Sequence, residues 1–142
     1  MTRLLLPLLS LTLLTTACKK ENAQPEPTPG LEGSWQEQAY QEVIRYNTDG
    51  IVRSESGPLT LAAPALYSFS GSTLTVKQDG TTRDFTYTRQ GDDLNLLATD
   101  QPSPDPYKLT IAQLTKTELT LHYKVVVQQQ GYSVTISRFT RK

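Results

Sequence analysis

The chain has 142 residues with 14 basic and 14 acidic side chains, a formal charge of zero at neutral pH. No block of like charge exceeds two residues, so there is no basic face to displace counterions, and nucleic acid is excluded as an expected partner. One cysteine, Cys18, and one histidine, His122, exclude an internal disulfide and a Cys/His zinc cluster, and no metal or cofactor site is expected.

The amino-terminal segment is built for delivery. Arg3 supplies a positive charge, and Leu4 to Leu14 contains eight leucines. Eleven helical residues would span about 16 Å, against a hydrocarbon core of about 30 Å, so this is the apolar region of a signal peptide and not a membrane span. Leu13-Leu14-Thr15-Thr16-Ala17-Cys18 closes it, and this run resembles the lipobox of a bacterial lipoprotein signal. The resemblance implies removal of residues 1–17, a diacylglyceryl group on the Cys18 thiol and an acyl chain, such as palmitate, on its new amino end. It implies a bacterial cell-envelope protein lipid-anchored to a membrane, with the outer membrane favoured. Ala17 fits the small residue required before the cysteine; Thr15 departs from the aliphatic residue usual three positions before it. The other reading is an ordinary secretory signal with Cys18 left as a stray thiol.

Residues 18–30 form the lipidated cysteine and a tether. Lys19 to Gly30 offers no large apolar side chain to bury, so it cannot offset the entropy of folding. Pro25, Pro27 and Pro29 favour extended polyproline geometry, with a reach of up to about 35 Å.

From Leu31 to Lys142 the pattern is short period-two alternation between turn signals. Trp35 to Tyr46 makes a long first strand whose alternation requires a bulge. Asp49-Gly50 turns into Ile51 to Arg53. Pro58 to Ala65 is an edge, an irregular strand or a short helical turn. Tyr67 and Phe69, then Leu74 and Val76, alternate with polar residues. Asp79-Gly80 marks a hairpin, followed by Phe85 and Tyr87, then Leu94 and Leu96. A loop from Thr99 to Pro106, either a lid or a stiff connector, leads to Tyr107, Leu109 and Ile111. Leu119, Leu121, Tyr123, Val125 and Val127 share one face, and Tyr132, Val134 and Ile136 share another. Eight or nine strands without a long helix predict an all-β fold: an antiparallel up-and-down meander closed into a barrel of about eight strands, with a β-sandwich as the alternative. A membrane-spanning barrel is not expected, because one face of the strands is rich in Thr, Ser, Lys, Arg and Gln.

Leu31-Glu32-Gly33-Ser34-Trp35 opens the first strand. The Gly-x-Trp resembles the lipocalin signature, and the whole chain resembles the small lipocalin-like lipoproteins of bacteria. In lipocalins the tryptophan closes the barrel floor, and an arginine from near the end of the barrel packs over its ring, a cation–π contact of about 0.5–2 kcal/mol. Arg138 continues the face of Val134 and Ile136 and is the expected partner of Trp35, with Arg141 as the alternate. The chain is shorter than a typical lipocalin and has no long C-terminal helix.

The expected barrel interior includes Tyr67, Phe69, Phe85, Tyr87, Leu94, Leu96, Tyr107, Leu109, Ile111, Leu121, Tyr123, Val125, Val134 and Ile136. These either pack a solid core or line a ligand cavity. Seven tyrosines against three phenylalanines favour a polar-tipped lining able to orient a small hydrophobic or amphipathic molecule. His122 falls on the Thr120 and Lys124 face, away from Leu121 and Tyr123. No nucleophile elbow, zinc-protease motif, P-loop or dinucleotide fingerprint occurs, so no catalytic residue is assigned and a non-enzymatic role is expected. The function read from the sequence is a membrane-anchored binding protein; the alternative is a structural or interaction module with a packed barrel.

Overall fold

Nine strands make up the computed structural model, which describes residues 30–100, 106–127 and 129–142. They are β1 (Gly33–Tyr46), β2 (Val52–Thr60), β3 (Leu66–Ser70), β4 (Thr73–Gln78), β5 (Thr81–Gln90), β6 (Asp93–Ala98), β7 (Tyr107–Leu114), β8 (Glu118–Val127) and β9 (Gly131–Arg141). Cys18 and residues 18–29 of the tether lie outside the described residues, as do residues 101–105 of the loop before β7.

From β3 to β9 each strand pairs antiparallel with the next, and β9 returns to pair with β1. β1 also pairs with β3, so β1 and β3–β9 form a closed eight-stranded barrel. Closure distinguishes it from a sandwich and removes the free edges that a meander would leave. Turn chemistry supports this order. Asp79 and Gly80 both take positive φ, +49° and +72°, forming the two-residue hairpin whose twist suits paired strands.

β2 is the ninth strand and stands outside the closed ring. Tyr46 to Tyr40 of β1 pair with β2, and Gln36 to Gly33 pair with β3. β2 and β3 are therefore two stretches of one course along β1, broken at Leu61 to Ala65. Pro64, which has no N–H to give to a ladder, lies in the break. Glu37 closes the break: its backbone N donates to Ala65 O at 2.8 Å, and its Oε2 accepts from Ala65 N at 2.9 Å. The bulge required in β1 falls at residues 38–40, where β1 advances four positions while β9 advances two.

β8 pairs with β7 only as far as Tyr123 but stays paired with β9 to Val127. Beyond the barrel, β2, β1, β9 and β8 thus continue as a four-stranded extension. The opposite end is the closed one. There the start of β1, the β3–β4, β5–β6 and β7–β8 turns and the chain's last residues converge. Trp35, Leu74, Leu94, Leu119 and Phe139 are fully buried in the core, each contributing about 1.5–3 kcal/mol through removal of apolar surface from water.

Candidate functional site

Residues paired across a ladder share a face of the sheet, so the register defines the inside of the barrel. Trp35 pairs with Tyr67 and Arg141, Tyr67 with Val76, and Phe69 with Leu74. Val76 pairs with Arg83, Leu74 with Phe85, Tyr87 with Leu96, and Leu96 with Tyr107. Leu109 pairs with Tyr123 and Ile111 with Leu121, while Leu121 pairs with Ser137 and Leu119 with Phe139. All of these point inward.

The floor is built around Trp35. Its Nε1 donates to Leu31 O at 2.8 Å, and the Arg141 guanidinium carbon stands 4.2 Å from the ring centroid. Arg141 also donates to three backbone carbonyls, those of Lys116, Glu32 and Gly30, each at 2.7 Å. Gly33 explains the Gly-x-Trp spacing. Its φ is +112°, and a Cβ there would stand 3.0 Å from Arg141 Nη1. The motif therefore requires glycine both for its backbone and for the space beside the guanidinium.

The partner of Trp35 is thus Arg141, the alternate in the sequence reading, and not Arg138, its first choice. Arg138 pairs with Thr120 on the outer face, where its Nη2 donates to Glu42 Oε2 at 3.2 Å and Nη1 lies 3.1 Å from Oε1. Val134 and Ile136 are corrected with it. They pair with Lys124 and His122, opposite Tyr123 and Leu121, and stand on the outer face. Val134 there meets Ile44, and Tyr132 stacks on Tyr46 at 4.6 Å with Lys124 Nζ 3.9 Å above its ring. The apolar alternation of Tyr132, Val134 and Ile136 covers the outside of the extension; the inward positions of β9 are Ser133, Thr135, Ser137 and Phe139.

Above the floor an open cavity of about 710 Å³ runs to the other end of the barrel. Tyr67, Phe85, Tyr107 and Tyr123 line it as the sequence suggested, together with Leu74, Val76, Leu96 and Leu109. Phe69 and Leu121 lie in the buried core and Tyr87 packs against it; none of the three lines the cavity. Phe69 meets Tyr87 edge-on at 5.5 Å, and Tyr67 lies 4.7 Å from Phe139. Tyr107 and Phe85 form an edge-to-face pair at 6.2 Å near the mouth. Val125 shares the inward register but is exposed on the extension.

The rim comprises Leu61 to Ala63 from the strand break, Gln78 and Asp79 from the β4–β5 hairpin, and Thr81 and Arg83 of β5. Gln78 Nε2 donates to Ala63 O at 2.7 Å and ties the break to the hairpin. The irregular edge read at Pro58 to Ala65 is the end of β2 and the break after it; the inward register of Arg83 and the buried Glu37 escaped sequence reading. Arg83 is two residues before Phe85, and strict alternation from Phe85 would have identified it.

Electrostatics separate cavity from scaffold. Tyr67 is pushed up to about 12, chiefly by burial and then by the Glu37 carboxylate. Burial, then Glu32, also raises Tyr87, with Arg89 opposing. Asp93 belongs to the scaffold: hydrogen bonds from Lys108 and Thr110 hold it below the usual carboxylate range. His122, on the outer face, is lowered by burial and by Arg138. Among the described residues, no group of three or more His, Cys, Asp or Glu side chains could hold a metal ion.

No protein-family model and no curated protein matches the chain. Among solved structures it is similar to lobster apocrustacyanin A1, at 16% identity and a TM-score of 0.43, covering 78% of this chain and 60% of that one. It is also similar to H1 crustacyanin from the lobster Homarus americanus, at 16% identity and a TM-score of 0.41, covering 82% and 62%. A redesigned β-barrel matches at 17% identity and a TM-score of 0.33, covering 79% and 91%. The chain spans about three fifths of the length of the two crustacyanin chains.

Proposed function

We propose that this protein is a lipocalin-like, lipid-anchored module of the bacterial envelope that binds a small hydrophobic or amphipathic molecule without catalysing its conversion. The observation that carries the reading is the open 710 Å³ cavity walled by Tyr67, Val76, Phe85, Leu96 and Leu109. Its size falls within the range of small-molecule sites, and apolar walls with a few polar groups at one end are their usual composition. A barrel packed to its rim would have favoured a purely structural role.

Fluorescence titration with N-phenyl-1-naphthylamine tests the cavity. Saturable binding that Val76→Trp abolishes, with the thermal transition retained, is the expected result; no saturable binding would overturn the reading. Anchoring rests on the lipobox-like run and on Cys18. Cys18→Ala should move the protein from the membrane fraction to the soluble fraction, and unchanged partitioning would refute the anchor.

The extension supports a second reading, an interaction surface of the envelope. Val126 and Ile51 near its tip are 71% and 63% exposed. On that reading Val126→Asp alters sedimentation of the protein's complexes and the naphthylamine probe never binds.

A further inference from the structure

We infer that the ligand of this cavity is an amphipathic anion whose carboxylate is held by Arg83 at the mouth while its hydrocarbon part lies against Val76, Phe85, Leu96 and Leu109. The inference rests on the reading of the cavity as a binding site and adds the chemistry of the head group.

Arg83 pairs with Val76 across the β4–β5 ladder, so its side chain leaves β5 on the inward face, one inward position above Phe85. It lines the cavity at the rim. Among the described residues, two charged side chains line this space, Arg83 and Asp79. Asp79 occupies the hairpin turn at positive φ, beyond the end of the ladder. The nearer carboxylate in sequence, Asp84, is on the outer face, where Thr75 Oγ1 donates to it at 2.6 Å.

Arg45 and Arg53, exposed on the extension, make no hydrogen bond or ion pair with the described residues but lie away from this cavity. The described arginines other than these and Arg83 have given N–H groups to the fold. Arg89 donates to Gly91 O at 2.8 Å, Arg141 to three carbonyls and Arg138 to Glu42. Arg83 makes no hydrogen bond or ion pair with the described residues. An exposed guanidinium at the mouth, its fork of donors unmatched by the described residues and set above an apolar wall, fits a carboxylate, which it can hold with two parallel N–H···O bonds. Thr81 stands beside it on the rim with a hydroxyl. Gln78 is committed to Ala63 and contributes to the rim's shape more than to recognition.

Displacement of N-phenyl-1-naphthylamine by decanoate and by 1-decanol, which share a chain and differ in head group, tests the inference. Decanoate is expected to compete at about tenfold lower concentration than 1-decanol, the effect of one charge-assisted contact. Arg83→Gln should erase that preference, and Asp79→Asn, which removes the competing charge, should increase it. Equal competition by the two molecules in the unaltered protein would overturn the inference, as would a preference that survives Arg83→Gln. Probe binding with no head-group preference refutes the role of Arg83 alone; absence of probe binding refutes the cavity reading and this inference together.

Discussion

Arg141 holds its guanidinium carbon 4.2 Å from the centroid of Trp35 while donating to the carbonyls of Gly30, Glu32 and Lys116. One side chain thus covers the floor and joins the segment before β1 to the β7–β8 turn. Arg141→Ala is expected to cost about 2–4 kcal/mol, from a lost cation–π contact and carbonyls left without their donor. Arg138→Ala, which breaks a half-exposed ion pair with Glu42, should cost below about 1 kcal/mol. Urea denaturation of both variants checks the order, and equal losses would contradict the floor assignment.

Gly131 begins β9 at φ +104°, where an added Cβ would collide with the backbone of Tyr46 and Asn47. The neighbour is backbone and cannot swing aside. Gly131→Ala should therefore destabilise by roughly 2 kcal/mol or more, combining backbone strain with a forced shift of the β1–β9 pairing. Gly80 also has positive φ, +72°, but open space around it, so Gly80→Ala should cost only about 1 kcal/mol. Thermal unfolding of the pair separates steric contact from conformational preference.

Glu37 is 7% exposed, and its carboxylate accepts the Ala65 N–H. Glu37→Gln keeps an acceptor of the same shape and should leave the break intact. Glu37→Ala leaves a buried N–H without a partner, at a cost of about 1–3 kcal/mol. Because the break forms part of the rim, hydrogen exchange at Ala65 should quicken in Glu37→Ala and not in Glu37→Gln.

Tyr67 offers a spectroscopic test of the interior. Its folded value of about 12 lies above the ordinary 10.0. Below pH 10 the phenol is neutral in folded and unfolded chains, and the full stability is present. Between pH 10 and about 12 the unfolded chain releases this proton and the folded one retains it, so stability falls as pH rises. Ultraviolet titration should show tyrosine ionisation extending to about pH 12, and Tyr67→Phe should remove that last step together with an alkaline stability loss of order 2 kcal/mol.

Much of this architecture was legible because turn residues and alternation act locally. Asp79-Gly80 specified its hairpin, and Tyr67, Phe69, Phe85 and Leu96 alternate in phase with the barrel wall. β9 was misread because its apolar phase changes. Val134 and Ile136 follow even numbers while the inward set, ending in Phe139 and Arg141, follows odd numbers. That choice depends on the extension, whose outer face needs apolar cover against Ile44 and Tyr46, and such cover arises from long-range pairing. The burial of Glu37 beside the break at Leu61 to Ala65 was hidden for the same reason: a carboxylate can be buried in β1 only because residue 65 returns to meet it.

The grip of Arg141 on Gly30 sets a polarity for the whole molecule. The chain joins the barrel at its base, and the mouth opens at the far end, a strand length away, roughly 25 Å along the axis for ten tilted residues. Load applied through the amino-terminal segment therefore enters the barrel at its floor, and the rim stands at the end away from it.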